Sequence, residues 1–361
     1  MSQYWFGKIE VRNRLYIVRK HRLSIIKCYL GLMIRFFLTI GSAIKTRNMD
    51  DLRRAIGNCM GVVQSTALQH IRTDTACISC GYPSPVFYFT KQNVHGDFPV
   101  LRCPSCSSAF VWPRPKCNEI AEHYESEAYS KLTCEQAVQH DLRYHPNSLT
   151  DSRRIIDRCS KLANGNRFLD VGAGHGRYSK TAMEMGFRVS ACEPNPNARE
   201  VFLRMNGFKP DKCMFEEEYA MANAEKFDVV LLNQVLEHIT NPKQVVRNIH
   251  TVLHNNGIAA IGVPHFGSAL SRIQGEKDMY ISPPEHLNFF SKQGLISLFT
   301  RNNFKLEYLE TVSKVNRGRI EDTIRMPLIS NTVWRTLYGI LAIFELFGMG
   351  MVINAYFKKT S

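Results

Sequence analysis

The sequence predicts an α/β protein: a parallel sheet with helices on both faces. Three observations carry this expectation. From Asn166 onward, strand-like runs alternate with helical stretches, the runs being RFLDV, FRVSACE, KFDVVLLN and GIAAIGVP. The first run leads straight into a glycine-rich loop, Gly172-x-Gly174-x-Gly176, and a helical stretch follows it. The next run ends in an acidic residue, Glu193, where an α/β sheet meets its ligand. Later, FKLEYLETV reads as a strand, residues 332 to 347 as an apolar helix, and GMGMVINAYFKK as a final strand opened by glycines.

Composition sets the outer limits. Of 361 residues, 44% are apolar and 22% charged, an ordinary globular balance. The net charge of +14 is not evenly spread. Residues 1 to 73 hold 13 Lys or Arg against 3 Asp or Glu, so this segment is expected to seek anionic surfaces, either membrane headgroups or nucleic acid. Eleven cysteines, an odd number, with no secretory pattern at the start, lead to the expectation of a reducing, cytoplasmic protein. Its cysteines then bind metal or pack as small apolar groups.

Residues 23 to 44, LSIIKCYLGLMIRFFLTIGSAI, are long enough to span a bilayer, but Arg35 falls near their middle. Ser24, Lys27, Gly31, Arg35, Thr39 and Ser42 recur at helical spacing and form one polar stripe in an apolar surround. That pattern suits an amphipathic helix in a membrane interface, flanked by Arg19, Lys20, Arg22, Lys45 and Arg47 near headgroups. A helix packed on the protein's own core and a true span are the alternatives. The expected location is cytoplasmic, with peripheral attachment to the inner membrane face. The basic and apolar run from Arg12 to Val62 also resembles the C-terminal tail of family-2 glycosyltransferases, without their catalytic residues. This resemblance implies a setting in glycan assembly.

Residues 74 to 117 are rich in Cys, Pro and aromatics. Cys77-x-x-Cys80 and Cys103-x-x-Cys106 each turn two thiolates toward one cation, and together they form a closed tetrahedral set suited to structural Zn²⁺. Gly81 follows the first pair and Pro104 sits inside the second, as tight metal-binding turns favour.

A dinucleotide loop usually reads GxGxxG; here the spacing is GxGxG, and Asp170 stands two residues before the first glycine. A carboxylate there repels a pyrophosphate and suits a ligand with a cationic ammonium. Glu193 is placed to accept hydrogen bonds from both ribose hydroxyls of an adenosine. Asn233 and Gln234 close the run FDVVLLNQVLEHITNP at the carboxyl edge of the sheet.

With these motifs quoted, residues 166 to about 312 resemble a class I S-adenosylmethionine-dependent methyltransferase. FLDVGAGHGRYS is similar to the family's first motif and CEPNP to its second, FDVVLLNQVLEHITNP to the strand that follows and VLHNNGIAAIGVP to the fifth strand. The resemblance implies a Rossmann-like seven-stranded sheet. It also implies Asp170 near the methionine amino group, the glycine loop around the cofactor and Glu193 on the ribose. Phe215 and Glu216 are the candidates for the adenine side. Tyr124 and Tyr129 either fold over the cofactor or pack.

The acceptor region is expected in ISPPEHLNFFSKQGL. It resembles the P-x-H-L-x-x-F-[ST] segment of one branch of these enzymes. Some sugar C-methyltransferases pair a four-cysteine module with such a Glu-His pair, and a tyrosine stands two positions before their glutamate. Pro283 occupies that place here. His286, with Glu285, is the candidate catalytic pair, since a histidine can take a proton as methyl transfer proceeds. Glu285 and His286 shaping a loop is the plainer reading. His265 and His238 are further candidate bases.

The resulting domain expectation is a basic amphipathic segment (1–73), a zinc-ribbon-like module (74–117), a helical connector (118–165), the Rossmann-like core (166–312) and C-terminal helices with the last strand (313–361). The expected activity is methylation of a sugar or glycan acceptor, nucleotide- or lipid-linked, with S-adenosylmethionine and structural Zn²⁺ as cofactors and an anionic membrane as a further partner. RNA or protein methylation is the alternative enzyme. Few aromatics interleave with the basic residues, which ranks nucleic acid lower. A membrane-associated scaffold for glycan assembly is the non-catalytic alternative.

Overall fold

A computed structural model describes residues 75–115, 148–313 and 327–360, together with isolated positions elsewhere. The chain divides into two units, Met1–Thr73 and Asp74–Ser361. The amphipathic segment at 23–44 lies outside the described residues except at Thr39, and Tyr124 and Tyr129 lie outside them as well. Among the described residues no helix is long and apolar enough to cross a membrane.

In chain order the elements are β1 (Val86–Asn93), β2 (Gly96–Arg102), β3 (Ala109–Val111), α1 (Ser148–Leu162), β4 (Arg167–Val171), α2 (Arg177–Glu184), β5 (Arg188–Cys192), α3 (Pro196–Asn206), α4 (Glu217–Ala222), β6 (Phe227–Asn233), α5 (Pro242–Val252), β7 (Leu253–Pro264), α6 (Ala269–Gln274), β8 (Asn288–Phe289), α7 (Lys292–Thr300), β9 (Phe304–Val312), α8 (Pro327–Leu346) and β10 (Val352–Lys359). The larger sheet has the order β5-β4-β6-β7-β10-β9. Its first four strands are parallel, and β10 inserts antiparallel between β7 and β9.

Alternation along each strand splits the core in two. Leu169, Val171, Val230 and Leu232 face one side, with α5 and α7 supplying Val246, Ile249, Leu295 and Phe299. Phe168, Val229 and Leu231 face the other, against Ile155, Ile156 and Cys159 of α1 and Ala182 of α2. Both faces are covered, so the strands read as unbroken apolar runs. Helix starts follow local chemistry: Asn195 and Asn241 each cap a helix whose first residue is a proline, and Ser291 caps α7 through the Gly294 N–H at 2.9 Å.

Two expectations change. Seven strands were expected, and the described sheet has six. Beyond β5 the next segment contributes a single bridge, Cys192 to Asp211, closed by Glu193 N–H to the Asp211 carbonyl and Asp211 N–H to the Ala191 carbonyl, both 2.9 Å. Pro210, one residue earlier, has no N–H to extend it. For the apolar C-terminal stretch the sequence favours packing on the sheet, with a surface for a membrane or lipid-linked acceptor and a dimer contact as the alternatives. The helix packs there through residues such as Leu341, but Leu337, Tyr338, Ile340, Ile343, Leu346 and Phe347 stay exposed.

The smaller sheet, β1-β2-β3-β8, is antiparallel and takes its last strand from the loop between β7 and α7. The cysteine-rich segment and the α/β core therefore share a sheet. Arg114, just past β3, reinforces the join. Its guanidinium donates to the carbonyls of Ile239, Thr240 and Leu287 and to Asn288 Oδ1, at 2.8 to 3.2 Å. Buried Asn288 in turn donates to the carbonyls of Leu236 and Ile239. At the far end of the segment, Ser291 N–H donates to Ser108 Oγ at 3.0 Å and Ser291 Oγ to the Cys106 carbonyl.

Replacing Arg114 by Ala strands several carbonyls at once and should cost about 2–4 kcal/mol in denaturant unfolding. Arg114→Lys should recover only part of this, because an ammonium cannot span the same fork.

Candidate functional site

The glycine loop leaves the end of β4, the second strand from one edge of the described sheet. Gly172, Gly174 and Gly176 all take positive φ, at 66°, 52° and 82°. Their surroundings differ. A Cβ on Gly172 would meet Val235, and one on Gly176 would meet Phe202 and Asn206, whereas one on Gly174 would enter open space. The loop is thus packed at both ends and open at its centre, where a ligand can approach the backbone.

Two carboxyl groups flank that opening. Glu193 is buried, and its two oxygens accept from the Gly174 and Asn195 N–H groups, each at 2.8 Å. These bonds orient the carboxylate and leave lone pairs for hydroxyl donors. Burial raises its pKa. Asp170 is 3% exposed and accepts from Ser179 Oγ at 2.7 Å. Burial pushes its carboxyl up to about 7, against the Ser179 bond, and the nearby Glu193 adds to the rise. Among the described residues no cation pairs with Asp170. An ammonium group at Asp170 and a pair of hydroxyls at Glu193 fit this donor set.

Across the opening, β6 ends at Asn233, whose side chain lies against Gly262. Gln234 turns the chain with φ 59°, its N–H donating to the Gly262 carbonyl at 2.8 Å. Its buried Nε2 has no hydrogen-bond partner among the described residues. Of the adenine-side candidates, Phe215 is 2% exposed in the core cluster behind the loop, and Glu216 accepts from the Met214 N–H at the start of α4. Phe215 therefore packs, and its φ of 60° shapes the turn.

The chain then turns through Glu237 and His238 and meets the segment of Glu285 and His286. The rings of His238 and His286 stand edge to face, 4.7 Å between centroids. His238 Nδ1 bonds the Glu285 carbonyl at 2.9 Å, and His286 Nδ1 bonds the Tyr280 carbonyl at 2.7 Å. A carbonyl only accepts, so each neutral ring spends its one proton at Nδ1 and carries its lone pair at Nε2. Burial and the neighbouring His286 hold His238 down at about 3, and burial also lowers His286. Both are neutral at pH 7.

Glu285 is exposed and reaches this site through its carbonyl rather than its carboxylate. The carboxylate beside the imidazoles is Glu237, fully buried, with Oε1 at 4.0 Å from His238 Nε2. Tyr280 lies parallel to the His286 ring at 6.4 Å, so a tyrosine attends this histidine from a position other than 283. The LEH run was a signal for Glu237; nothing local in the sequence marked Tyr280. His265 is buried elsewhere, its Nδ1 donating to the Gly350 carbonyl at 2.8 Å, and burial pushes it down to about 4.

The four cysteines converge. Cys77 and Cys106 Sγ are 3.6 Å apart, and Cys80 and Cys103 Sγ are 3.5 Å apart. A tetrahedron with metal–sulfur bonds of about 2.3 Å has edges of about 3.8 Å, so the set fits one cation. The two turns match: Gly81 N–H returns to the Cys77 carbonyl and Ser107 N–H to the Cys103 carbonyl, each at 2.9 Å, and Gly81 and Ser107 both take positive φ. Hydrogen bonding between the thiols pulls Cys106 down to about 5 while Cys77 is pushed far up.

Residues 139–309 match the family described as a methyltransferase domain. An uncharacterized protein of Methanocaldococcus jannaschii is 27% identical over 180 residues, which cover 49% of this chain and 83% of that protein. The ubiquinone biosynthesis O-methyltransferase of Ruegeria pomeroyi is 31% identical over 97 residues, covering 26% of this chain and 39% of that enzyme. Among solved structures, the 1,6-didemethyltoxoflavin-N1-methyltransferase of Burkholderia thailandensis, with S-adenosylhomocysteine bound, is 15% identical with a TM-score of 0.45, over 75% of this chain and 99% of that one.

Two outcomes follow from this geometry. Gly174→Ala should fold at a cost of about 1 kcal/mol, since only its φ is strained, whereas Gly176→Ala also collides with Phe202 and should unfold at distinctly lower denaturant. His265 titrates at about 4 folded and about 6.5 unfolded, so folding opposes its protonation. Its contribution is intact above pH 6.5 and is lost as the pH falls toward 4, by about 3 kcal/mol in all. His265→Asn keeps a donor for Gly350 and should flatten the acid side of the stability–pH curve.

Proposed function

We propose that this chain carries a class I S-adenosylmethionine-dependent methyltransferase domain that methylates an acceptor of glycan or polysaccharide assembly, a hydroxyl or activated carbon on a nucleotide- or lipid-linked sugar. The observation that carries the reading is the pair of neutral imidazoles, each held by a backbone carbonyl, on the chain that continues from the candidate cofactor edge at Asn233 and Gln234. A hydroxyl acceptor needs a group to receive its proton, and His286 Nε2 is the proposed receiver, with His238 beside it. Tyr280 and the Glu285 carbonyl are positioning groups. Similarity to enzymes named for O-methyl transfer supports an oxygen acceptor. The sugar class is supported by the four-cysteine module with its Glu-His segment and by the glycosyltransferase-like run in residues 12–62.

Bound S-adenosylmethionine supplies an electrophilic methyl on a sulfonium. In this reading Asp170 receives the methionine ammonium, Glu193 the ribose hydroxyls, and Gln234 Nε2 a cofactor oxygen or nitrogen. The open face at Gly174 lets the loop backbone close on the ligand. Zn²⁺ in the Cys77, Cys80, Cys103 and Cys106 set is structural: four thiolates leave no coordination position for a substrate. By holding β3 it holds β8, and with it His286. The basic segment at residues 1–73 is proposed to bring the enzyme to an anionic membrane where a lipid-linked acceptor resides.

Calorimetric titration with S-adenosylmethionine tests the cofactor side. Affinity should rise with pH up to about 7 and then level, because the cation needs Asp170 ionised. Asp170→Asn keeps the Ser179 bond and removes a buried charge. It should leave the unliganded protein at least as stable at pH 8 and weaken binding by roughly 10- to 100-fold, about 1.4–2.8 kcal/mol. Equal binding by wild type and variant would sink this assignment. On the acceptor side, mass spectrometry of cellular glycans after loss of the gene should show one methyl group missing from a sugar.

A further inference from the structure

We propose that Glu237, His238 and His286 form a divalent-metal site, separate from the four-cysteine set, at the acceptor side of the cofactor edge. One ligand atom from each of the three residues lies within 4.8 Å of the other two. Glu237 is fully buried and the two histidines are partly buried, so the cluster is built into the protein rather than scattered on its surface. Two imidazoles and one carboxylate are a ligand set suited to zinc, iron or manganese, and they leave coordination positions for exogenous oxygen ligands.

The histidines carry the outer contacts that metal-binding imidazoles use. Nδ1 of each donates to a main-chain carbonyl, of Glu285 for His238 and of Tyr280 for His286, which fixes ring orientation and leaves Nε2 as the nitrogen to ligate a cation. The main chain is fixed as well. Leu287 and Asn288 N–H groups both donate to the Glu237 carbonyl, at 2.8 and 3.0 Å, and Arg114 and Asn288 hold the carbonyls on either side of it. The two segments carrying the ligands are thereby locked together. His238 Nε2 stands 4.0 Å from Glu237 Oε1. Tetrahedral ligands at about 2.0–2.1 Å from a cation are about 3.4 Å apart, so closure on a cation takes movements of about 1 Å, within side-chain reach. The Gln234 carbonyl also lies against the His238 ring and adds an oxygen to the neighbourhood.

The purpose of the site rests on the hydroxyl acceptor proposed above and replaces His286 as the receiver of its proton; its geometry does not depend on that reading. A cation here binds the acceptor's oxygen and lowers the pKa of its hydroxyl, so the imidazoles hold the metal and the proton passes to water. The acceptor class then narrows to molecules that offer an oxygen pair or a phosphate oxygen beside the reacting hydroxyl, as a nucleotide-linked sugar does.

Full-length protein, equilibrated with Zn²⁺ and then freed of unbound metal by gel filtration, is assayed for metal content. Two equivalents are expected in the wild type and one in His286→Asn, which keeps a donor for the Tyr280 carbonyl and loses Nε2. Glu237→Gln should also hold one equivalent. Near-UV circular dichroism and S-adenosylmethionine titration report whether each variant is folded. Co²⁺ added to the zinc-loaded wild type, if it fills the second site, should give weak visible bands without sulfur charge transfer, and should give none in His286→Asn. One equivalent in the wild type, or two in a folded His286→Asn, overturns the site. Neither result touches the cofactor assignment, which stands or falls on the titration with Asp170→Asn.

Discussion

The guanidinium of Arg114 is the join on which the turn after β6 and the segment carrying His286 depend. Where β6 leaves the sheet, residues 236 to 240 form a turn whose carbonyls have no ladder to enter. Buried carbonyls must find donors, and a planar cation with five N–H groups can serve several at once. Arg114 serves Ile239, Thr240 and Leu287, and through Asn288 it is coupled to Leu236. Arg114 sits beyond β3, in the cysteine-rich segment, so that segment completes the turn of the α/β core. A strand shared between β3 and β8 repeats the connection, and the contacts among Ser108, Cys106 and Ser291 close it at the other end. The four-cysteine set thus acts on the site at a distance: it shapes the turns that hold β3, and β3 holds the segment carrying His286.

The cofactor side follows a different logic, in which backbone shape and buried charge share the work. Three glycines make one loop for three reasons, two of them packing and one access. Asp170 and Glu193 are both buried; Glu193 receives backbone N–H donors from Gly174 and Asn195, while Asp170 is held by Ser179, through its hydroxyl and its backbone N–H. Burial outweighs the Ser179 bonds and keeps the Asp170 carboxyl above the ordinary range. Among the described residues the buried Gln234 Nε2 has no hydrogen-bond partner.

Much of this was legible in the sequence, for reasons that are local. Parallel strands buried on both faces announce themselves as apolar runs, and the GxGxG loop after RFLDV admits few backbone conformations other than the one seen. The paired CxxC turns carry their geometry within six residues each. The misses share a cause: they depend on distant segments. Glu285 stands next to His286 in sequence, yet its carboxylate faces outward, and the carboxylate near the ring comes from Glu237, 49 positions before His286. The tyrosine ring parallel to His286 is that of Tyr280, six positions before it. The strand expected beyond β5 shrinks to the Cys192–Asp211 bridge, a matter of pairing that the residues near Pro210 do not advertise. Helix α8 looks apolar enough for a core, and how much of it the sheet would cover was not readable from its own residues.

By itself, then, the sequence determined the α/β class, the position of the glycine loop, the two acidic residues around it and the grouping of four cysteines. Each of these follows from short-range sterics or from ligand types at fixed spacing. Tertiary structure alone decided that the cysteine-rich segment and the core share a sheet, that Arg114 binds the turn after β6, and that Glu237, His238, Tyr280 and His286 meet. Those outcomes turn on which buried carbonyls find which donors across 50 to 180 residues of chain, and no local pattern encodes such a choice.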